Sequence, residues 1–235
     1  MTNLRSRRPL LLAAMAALSA FPVAAAGLTL DAALAKIDQA AKSFKGLSAS
    51  IQTVQHMEAI HEDDSQSGTI LVKRAGHGDL HLKVSIDQPE KKIAVSDGKK
   101  VRVYYPSSGE IQEKDLGQSR SMLDMILALG FGGSAKELQA DYTVSLGGPA
   151  TLGGEAATRL QLIPKLKDML EQWKKIDLWI SDKTGYAIQQ KFYEAGDDYM
   201  LITYSNVQPK TDLPDSDFNL NAPKGTKKEH IDKKR

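Results

Sequence analysis

The chain has 235 residues, with 31 Lys and Arg against 29 Asp and Glu, and no cysteine. The missing cysteine excludes disulfides, thiolate metal sites, a cysteine nucleophile and a cysteine-linked lipid anchor. Residues 1–26 hold three arginines and no acid, so the other 209 residues (235 − 26) carry 28 basic and 29 acidic side chains, a formal charge of −1 that gives no argument for nucleic acid.

Residues 1–26 read as an export signal. Arg5, Arg7 and Arg8 form a basic start, and Leu10 to Phe21 is an apolar run too short to span a bilayer. Ala24-Ala25-Ala26 supplies small residues for cleavage, which makes Gly27 the expected mature N-terminus. Ser6-Arg7-Arg8 ahead of leucines also fits a twin-arginine signal, and either route places the protein in the periplasm. No later segment is long and apolar enough to cross a membrane. The expected organisation is one domain over residues 27–223, then a basic tail over 224–235 that frays.

Leu30, Leu34, Ile37, Ala41 and Phe44 recur at helical spacing and predict an amphipathic helix that Gly46 stops. A strand follows from Leu47 to about Met57. A polar turn over His61–Ser67 leads to a strand at Gly68–Arg74. Next comes a meander. Leu80, Leu82, Val84 and Ile86 alternate with His81, Lys83 and Ser85, as side chains on a strand must to make one apolar face. Ile93 and Val95 continue that face after Gln88-Pro89. Val101, Val103 and Tyr105 resume it after Asp97-Gly98, a dipeptide suited to a hairpin turn. Ile111 sits in a sixth, weaker strand.

Ser121–Leu129 predicts a helix, with Asp124 at capping-box spacing from Ser121. Met122, Met125, Ile126 and Leu129 share one of its faces, and Gly130, Gly132 and Gly133 end it. Ser134–Gln139 predicts a second short helix. Strands resume at Tyr142–Leu146, Glu155–Ile163, Lys175–Ser181, Tyr186–Glu194 and Tyr199–Val207, with a short helix at Lys165–Trp173. The fold class is mostly β with some α: a curved, incompletely closed antiparallel β-barrel of about ten or eleven strands, its mouth plugged by helices.

The apolar face of the meander is either ordinary core or the wall of a cavity for a greasy ligand, and the alternation alone fits both. Methionines on the insertion helix suit an adaptable apolar surface. His56, His61, His77 and His81 with Glu62, Asp63 and Asp64 match no metal-ligand spacing, so no metal site or cofactor is expected. The glycines at 130–133 lack the Lys-Ser/Thr of a phosphate loop. With no nucleophile elbow and no acid–base pair, the chain does not read as an enzyme.

Several of these stretches together resemble the LolA family of periplasmic lipoprotein carriers. Gly68–Arg74 (GTILVKR) is similar to the family's Gly-x-Leu-x-Val-Lys-Arg strand, and Val95–Pro106 (VSDGKKVRVYYP) to its Val-Ser-Asp-Gly-Lys and Tyr-x-Pro segment. Gln88-Pro89, Leu160–Pro164 (LQLIP) and Phe218–Gly225 (FNLNAPKG) add to the likeness. It implies a half-open barrel with a helical lid, formed by the helix of Met122, Met125, Ile126 and Leu129, over an apolar cavity that receives lipoprotein acyl chains. The lining expected from it is Leu80, Leu82, Val84, Ile86, Ile93, Val95, Val101, Val103, Ile111, Leu160, Leu162, Ile176 and Leu178. Arg74 takes the position of the family's lid-latching arginine. The implied function is a monomeric carrier that takes lipoproteins from an inner-membrane ABC transporter of the lipoprotein-releasing type and delivers them to an outer-membrane receptor or the outer membrane itself. A sensor of lipid or protein built on the same fold, binding without ferrying, is the alternative. The chain departs from the family at Ala75, where a proline is usual, at Arg102, where a Trp is usual, and in a longer His77–Leu82 stretch.

Overall fold

A computed structural model describes residues 27–75, 80–115, 129–194 and 196–231. Helix α1 (Leu30–Ser43) begins at Thr29, whose hydroxyl accepts a hydrogen bond from the Ala32 N–H at 3.3 Å. Asp31 lies in its first turn and Lys42 in its last, each matched to the helix dipole. Its buried stripe is Ala33, Leu34, Ile37 and Ala40. The helix presses on Gly185 so closely that a Cβ there would lie 2.4 Å from the Lys36 carbonyl oxygen.

The strands are β1 (Gly46–Met57), β2 (Glu62–Arg74), β3 (Leu80–Gln88), β4 (Lys92–Ser96), β5 (Lys100–Tyr105) and β6 (Glu110–Asp115), then β7 (Tyr142–Leu152), β8 (Glu155–Pro164), β9 (Lys175–Ser181), β10 (Ala187–Tyr193), β11 (Tyr199–Pro209) and β12 (Lys227–His230). Helix α2 (Ala135–Asp141) precedes β7, and α3 (Lys167–Gln172) lies between β8 and β9. Ser134 and Glu137 form a capping box at the start of α2. All twelve strands form one sheet in the order β12-β6-β5-β4-β3-β2-β1-β11-β10-β9-β8-β7. The first and last halves of the chain join where β1 pairs with β11. Strand twist curls so long a sheet, and β7 and β12 remain its two edges, so the barrel is not closed.

Besides β7, which runs on to Leu152 rather than ending at Leu146, three features differ from the sequence reading. β12 adds a strand inside the stretch expected to fray: Lys227–His230 pairs in parallel with Glu110–Glu113, through backbone bonds that no hydropathy pattern reveals. β2 begins at Glu62 rather than Gly68. Its polar half pairs residue by residue with Gln52–Met57, and the reversal is made by Glu58–Ile60 with His61 in the left-handed region (φ 52°).

The third difference concerns faces. Val84 lies opposite Ala94, and Ala94 opposite Val103, so these three share one face. Ile93 pairs instead with Ser85 and Tyr104, and Tyr104 with Ile111. Ile93, Val95 and Ile111 therefore lie on the opposite, convex face, not with Leu82 and Val84. There Val95, Tyr104 and Ile111 pack with Leu220, flanked by Ile93 and Ala222. A register that sets Ile86 against Lys92 makes the even-numbered residues of both β3 and β4 face inward, which reverses the parity read across Gln88-Pro89.

Candidate functional site

The concave face carries one large apolar cluster. Leu82 lies opposite Val72, and Val84 opposite Ile70. On the other arm Leu160 lies opposite Leu178, and Leu162 opposite Ile176. Leu82, Leu160, Leu162, Ile176 and Leu178 are all 0% exposed, and Val84 and Ile86 are buried. Leu80, Val101 and Val103 are half-buried near the rim. Each fully buried aliphatic side chain contributes about 1.5–3 kcal/mol relative to exposure. These side chains are covered from above by α1, Leu129, Phe131 and the start of α2. A groove of about 590 Å³ between α1 and α2 is lined by Leu34, Ala35, Asp38 and Ala135, not by the concave strand residues. Among the described residues, the centre of the apolar face is buried in this conformation.

At one end this cover is hydrogen-bonded by Arg74, the last residue of β2. Its backbone N–H donates to the Lys45 carbonyl at 2.9 Å. Its Nη2 donates to the Gly132 carbonyl at 2.7 Å, and its Nε to the Phe44 carbonyl at 3.4 Å. The guanidinium carbon sits 5.7 Å from the centroid of the Phe44 ring. One rigid fork therefore ties the end of α1 to the Gly132 segment. Met122, Met125 and Ile126, expected on the lid helix, lie outside the described residues. Leu129 is helical and buried in the main cluster.

Residues that the sequence reading did not single out complete this closure. Phe131 is 1% exposed, with its ring 4.9 Å from that of Tyr204 in an edge-on contact and 6.1 Å from that of Tyr186. The Tyr204 hydroxyl donates to Gln190 Oε1 at 3.0 Å, and its burial raises the phenol's pKa. Asp38 on α1 accepts from the Ala135 N–H at 2.8 Å and so caps α2 from outside. Phe131, Gly132 and Ala135 are thus pinned by a ring, a guanidinium and a carboxylate. A lone aromatic inside a run of glycines, Gly130-Phe131-Gly132-Gly133, is the sequence signal for such an anchor.

Of the histidines, His56 is bracketed by Asp63 at 2.7 Å and Glu58 at 2.9 Å and stacks on Tyr199. Hydrogen bonds to these two carboxylates raise its pKa above 6.5. This cluster lies at the β1–β2 tip, at the end of the strands away from Arg74. The mouth itself offers directional bonds over a greasy interior. That chemistry suits a cover over an apolar face.

Comparison with known proteins agrees with this geometry. The family model described as "Outer membrane lipoprotein carrier protein LolA" matches residues 42–221. An outer-membrane lipoprotein carrier protein of Cupriavidus pinatubonensis is 26% identical over 223 residues, 93% of this chain and 97% of that protein. One from Pseudomonas putida is 25% identical over 159 residues, 68% of this chain and 69% of that protein. Among solved structures, an uncharacterized conserved protein from Thermus thermophilus superposes with a TM-score of 0.54 at 12% identity, covering 86% of this chain and 98% of that one. MucB superposes with a TM-score of 0.52 at 10% identity, covering 82% of this chain and 62% of that one, a likeness of fold. The match of the family model to most of the chain places this protein in the LolA family of outer membrane lipoprotein carrier proteins.

Proposed function

We propose that the protein is an exported carrier that takes up the acyl chains of lipoproteins between its concave sheet and its helical cover, and ferries them from the inner to the outer membrane. The supporting observation is the buried apolar face, covered in part by a segment that Arg74 bonds through the Gly132 carbonyl. In this reading Arg74 is the latch of the empty state. An inner-membrane ABC transporter loads the carrier, and an outer-membrane receptor or the outer membrane itself receives the cargo. Cleavage after Ala26 releases the domain into the periplasm. Among the described residues no helix is long and apolar enough to cross a membrane.

Energetics shape the mechanism. Burying a methylene stabilises by about 0.8 kcal/mol. Two or three chains of about sixteen carbons, fully buried, would total tens of kcal/mol, beyond the roughly 18–21 kcal/mol at which non-covalent affinity saturates. A carrier that must also release its cargo covers it partly. Opening offsets much of the gain, because the cover's own apolar contacts are lost.

The test is transfer. The purified protein is mixed with ATP and membranes that hold the transporter and a labelled lipoprotein, and the supernatant is then offered to receptor-bearing membranes. A carrier brings the label into solution in a one-to-one complex and delivers it in the second step. Label that never leaves the first membrane refutes the reading.

A further inference from the structure

Beside the latch lies a second pocket, on the outer side of the same mouth. It has a volume of about 370 Å³ and is lined by four cations, Lys45, Lys73, Arg74 and Lys210, and by one carboxylate, Asp212. Phe44 and Leu213 form its apolar wall. The cations come from separate parts of the chain. Lys45 follows α1, Lys73 and Arg74 end β2, and Lys210 follows β11. The Lys210 N–H donates to the Gly46 carbonyl, which brings the last of these beside the first. Lys73 is engaged by Asp215 at 2.7 Å, and Lys210 Nζ reaches Gln208 at 3.2 Å. Lys45 is exposed and, among the described residues, has no ion pair.

Arg74 belongs to both compartments. Its Nη2 and Nε face the lid and α1 carbonyls, and among the described residues Nη1 has no hydrogen-bond partner. A guanidinium whose Nη1 has no partner among the described residues, beside several ammonium groups in one concavity, is suited to a tetrahedral oxyanion. A folded protein partner would need a broader, flatter contact than a concavity of this size offers.

We propose that this pocket binds a phosphate oxyanion of the kind an anionic phospholipid headgroup presents, and that such binding draws Arg74 away from the Gly132 carbonyl. The second half rests on reading Arg74 as the latch. The first half stands on the pocket alone. A phosphate oxygen is a stronger acceptor for the guanidinium than a neutral carbonyl. The empty carrier would then open where it meets an anionic membrane surface and stay shut in solution.

The experiment uses the mature chain and a Lys45→Ala/Lys210→Ala variant, since among the described residues neither side chain hydrogen-bonds the Gly132 segment. Isotope-labelled protein is titrated with inorganic phosphate. The amides of Lys45, Ala75 and Thr211 should shift together with that of Gly132. Co-sedimentation is measured with phosphatidylglycerol vesicles and with phosphatidylcholine vesicles. The wild type should favour phosphatidylglycerol, and the double variant should bind it roughly twenty-fivefold more weakly, as expected if each lysine near an anionic surface is worth about fivefold. Shifts with phosphate but no retention on either vesicle would assign the pocket to a soluble phosphate. Shifts at Lys45, Ala75 and Thr211 without one at Gly132 would keep the site and refute its coupling to the latch. Absence of shifts, or equal vesicle binding by the double variant, overturns the proposal. Shifts caused by an acidic peptide and not by phosphate would make it a protein contact and overturn it as well. Loading of lipoprotein in detergent, without any anionic lipid, tests the carrier reading separately.

Discussion

Arg74 Nη2 lies 2.7 Å from the carbonyl oxygen of Gly132, 58 residues away in the chain. A hydrogen bond from a charged donor contributes about 1.5–3 kcal/mol net. If it exists only in the closed state, its loss shifts the closed–open balance roughly tenfold to a hundredfold toward open. Arg74→Leu should therefore raise the affinity for an apolar dye or acyl chain by up to that factor, because apparent affinity scales with the open fraction. Delivery should slow, since closure no longer helps expel the cargo. Arg74→Lys should lie between, as one ammonium cannot hold Gly132 and Phe44 together. Loading and handover of a labelled lipoprotein are measured separately. Wild-type rates in both steps for Arg74→Leu would show that the bond does not gate the cavity.

The two faces of the meander make a paired prediction. Val103 is half-buried on the concave side, opposite Ala94, whereas Ile93 is half-buried on the convex side, opposite Tyr104. Val103→Glu should weaken dye and acyl binding several-fold, since a carboxylate facing the chains loses hydration without a partner. Ile93→Glu should leave binding unchanged and only loosen the Tyr104–Leu220 cluster. Leu82→Ala, at the centre of the concave face, should cost about 2–5 kcal/mol of stability in a denaturant melt. Equal binding by Val103→Glu and wild type would remove the β5 side chains from the cavity wall.

The His56 cluster predicts a pH dependence. Hydrogen bonds to Glu58 and Asp63 raise its folded-state pKa above 6.5. A group whose pKa rises on folding stabilises the fold while the unfolded imidazole is also protonated, below about 6.5. That contribution fades as pH climbs through the raised folded value. Wild type should thus out-melt His56→Gln at pH 5.5, with the gap closing above neutrality. A gap that widens as pH increases would show that His56 is held neutral.

Much of this molecule was legible in the sequence because alternation and turn chemistry report local geometry directly. Leu82, Val84 and Ile86 had to share a face, and the Leu30–Phe44 periodicity had to make a helix. What could not be read was long-range pairing. Whether Ile93 faces inward depends on which residue of β4 meets Ile86, a register that the polar turn does not declare. β12 exists because backbone groups of Lys227–His230 find the free edge of β6, and its side chains are all exposed. The polar half of β2 is likewise held by its ladder to β1. At the mouth, the arginine at the end of GTILVKR stood out by resemblance. Asp38 did not, because its importance lies in a contact with the Ala135 N–H that no spacing encodes, and Phe131 is marked only by standing alone among glycines, which does not name Tyr204 as its partner.

Gly132 offers the mirror test of the latch. It has φ +89°, where an L side chain costs about 1–2 kcal/mol. A Cβ there would also lie 3.0 Å from Arg74 Nη2 and 3.0 Å from the edge of the Phe44 ring. Gly132→Ala therefore disfavours the closed arrangement twice, by backbone strain and by pushing into the space the guanidinium and ring share. It leaves the Arg74 side chain and every concave residue intact. The expected result is a phenocopy of Arg74→Leu: tighter dye binding, slower handover and a melting temperature lowered by a few degrees. In the Gly132→Ala/Arg74→Leu double variant the two effects on loading should not add, because both remove the same closed state. Additive effects would mean that Gly132 and Arg74 act on different steps, and Arg74 would then be only a strand-end residue that touches the lid.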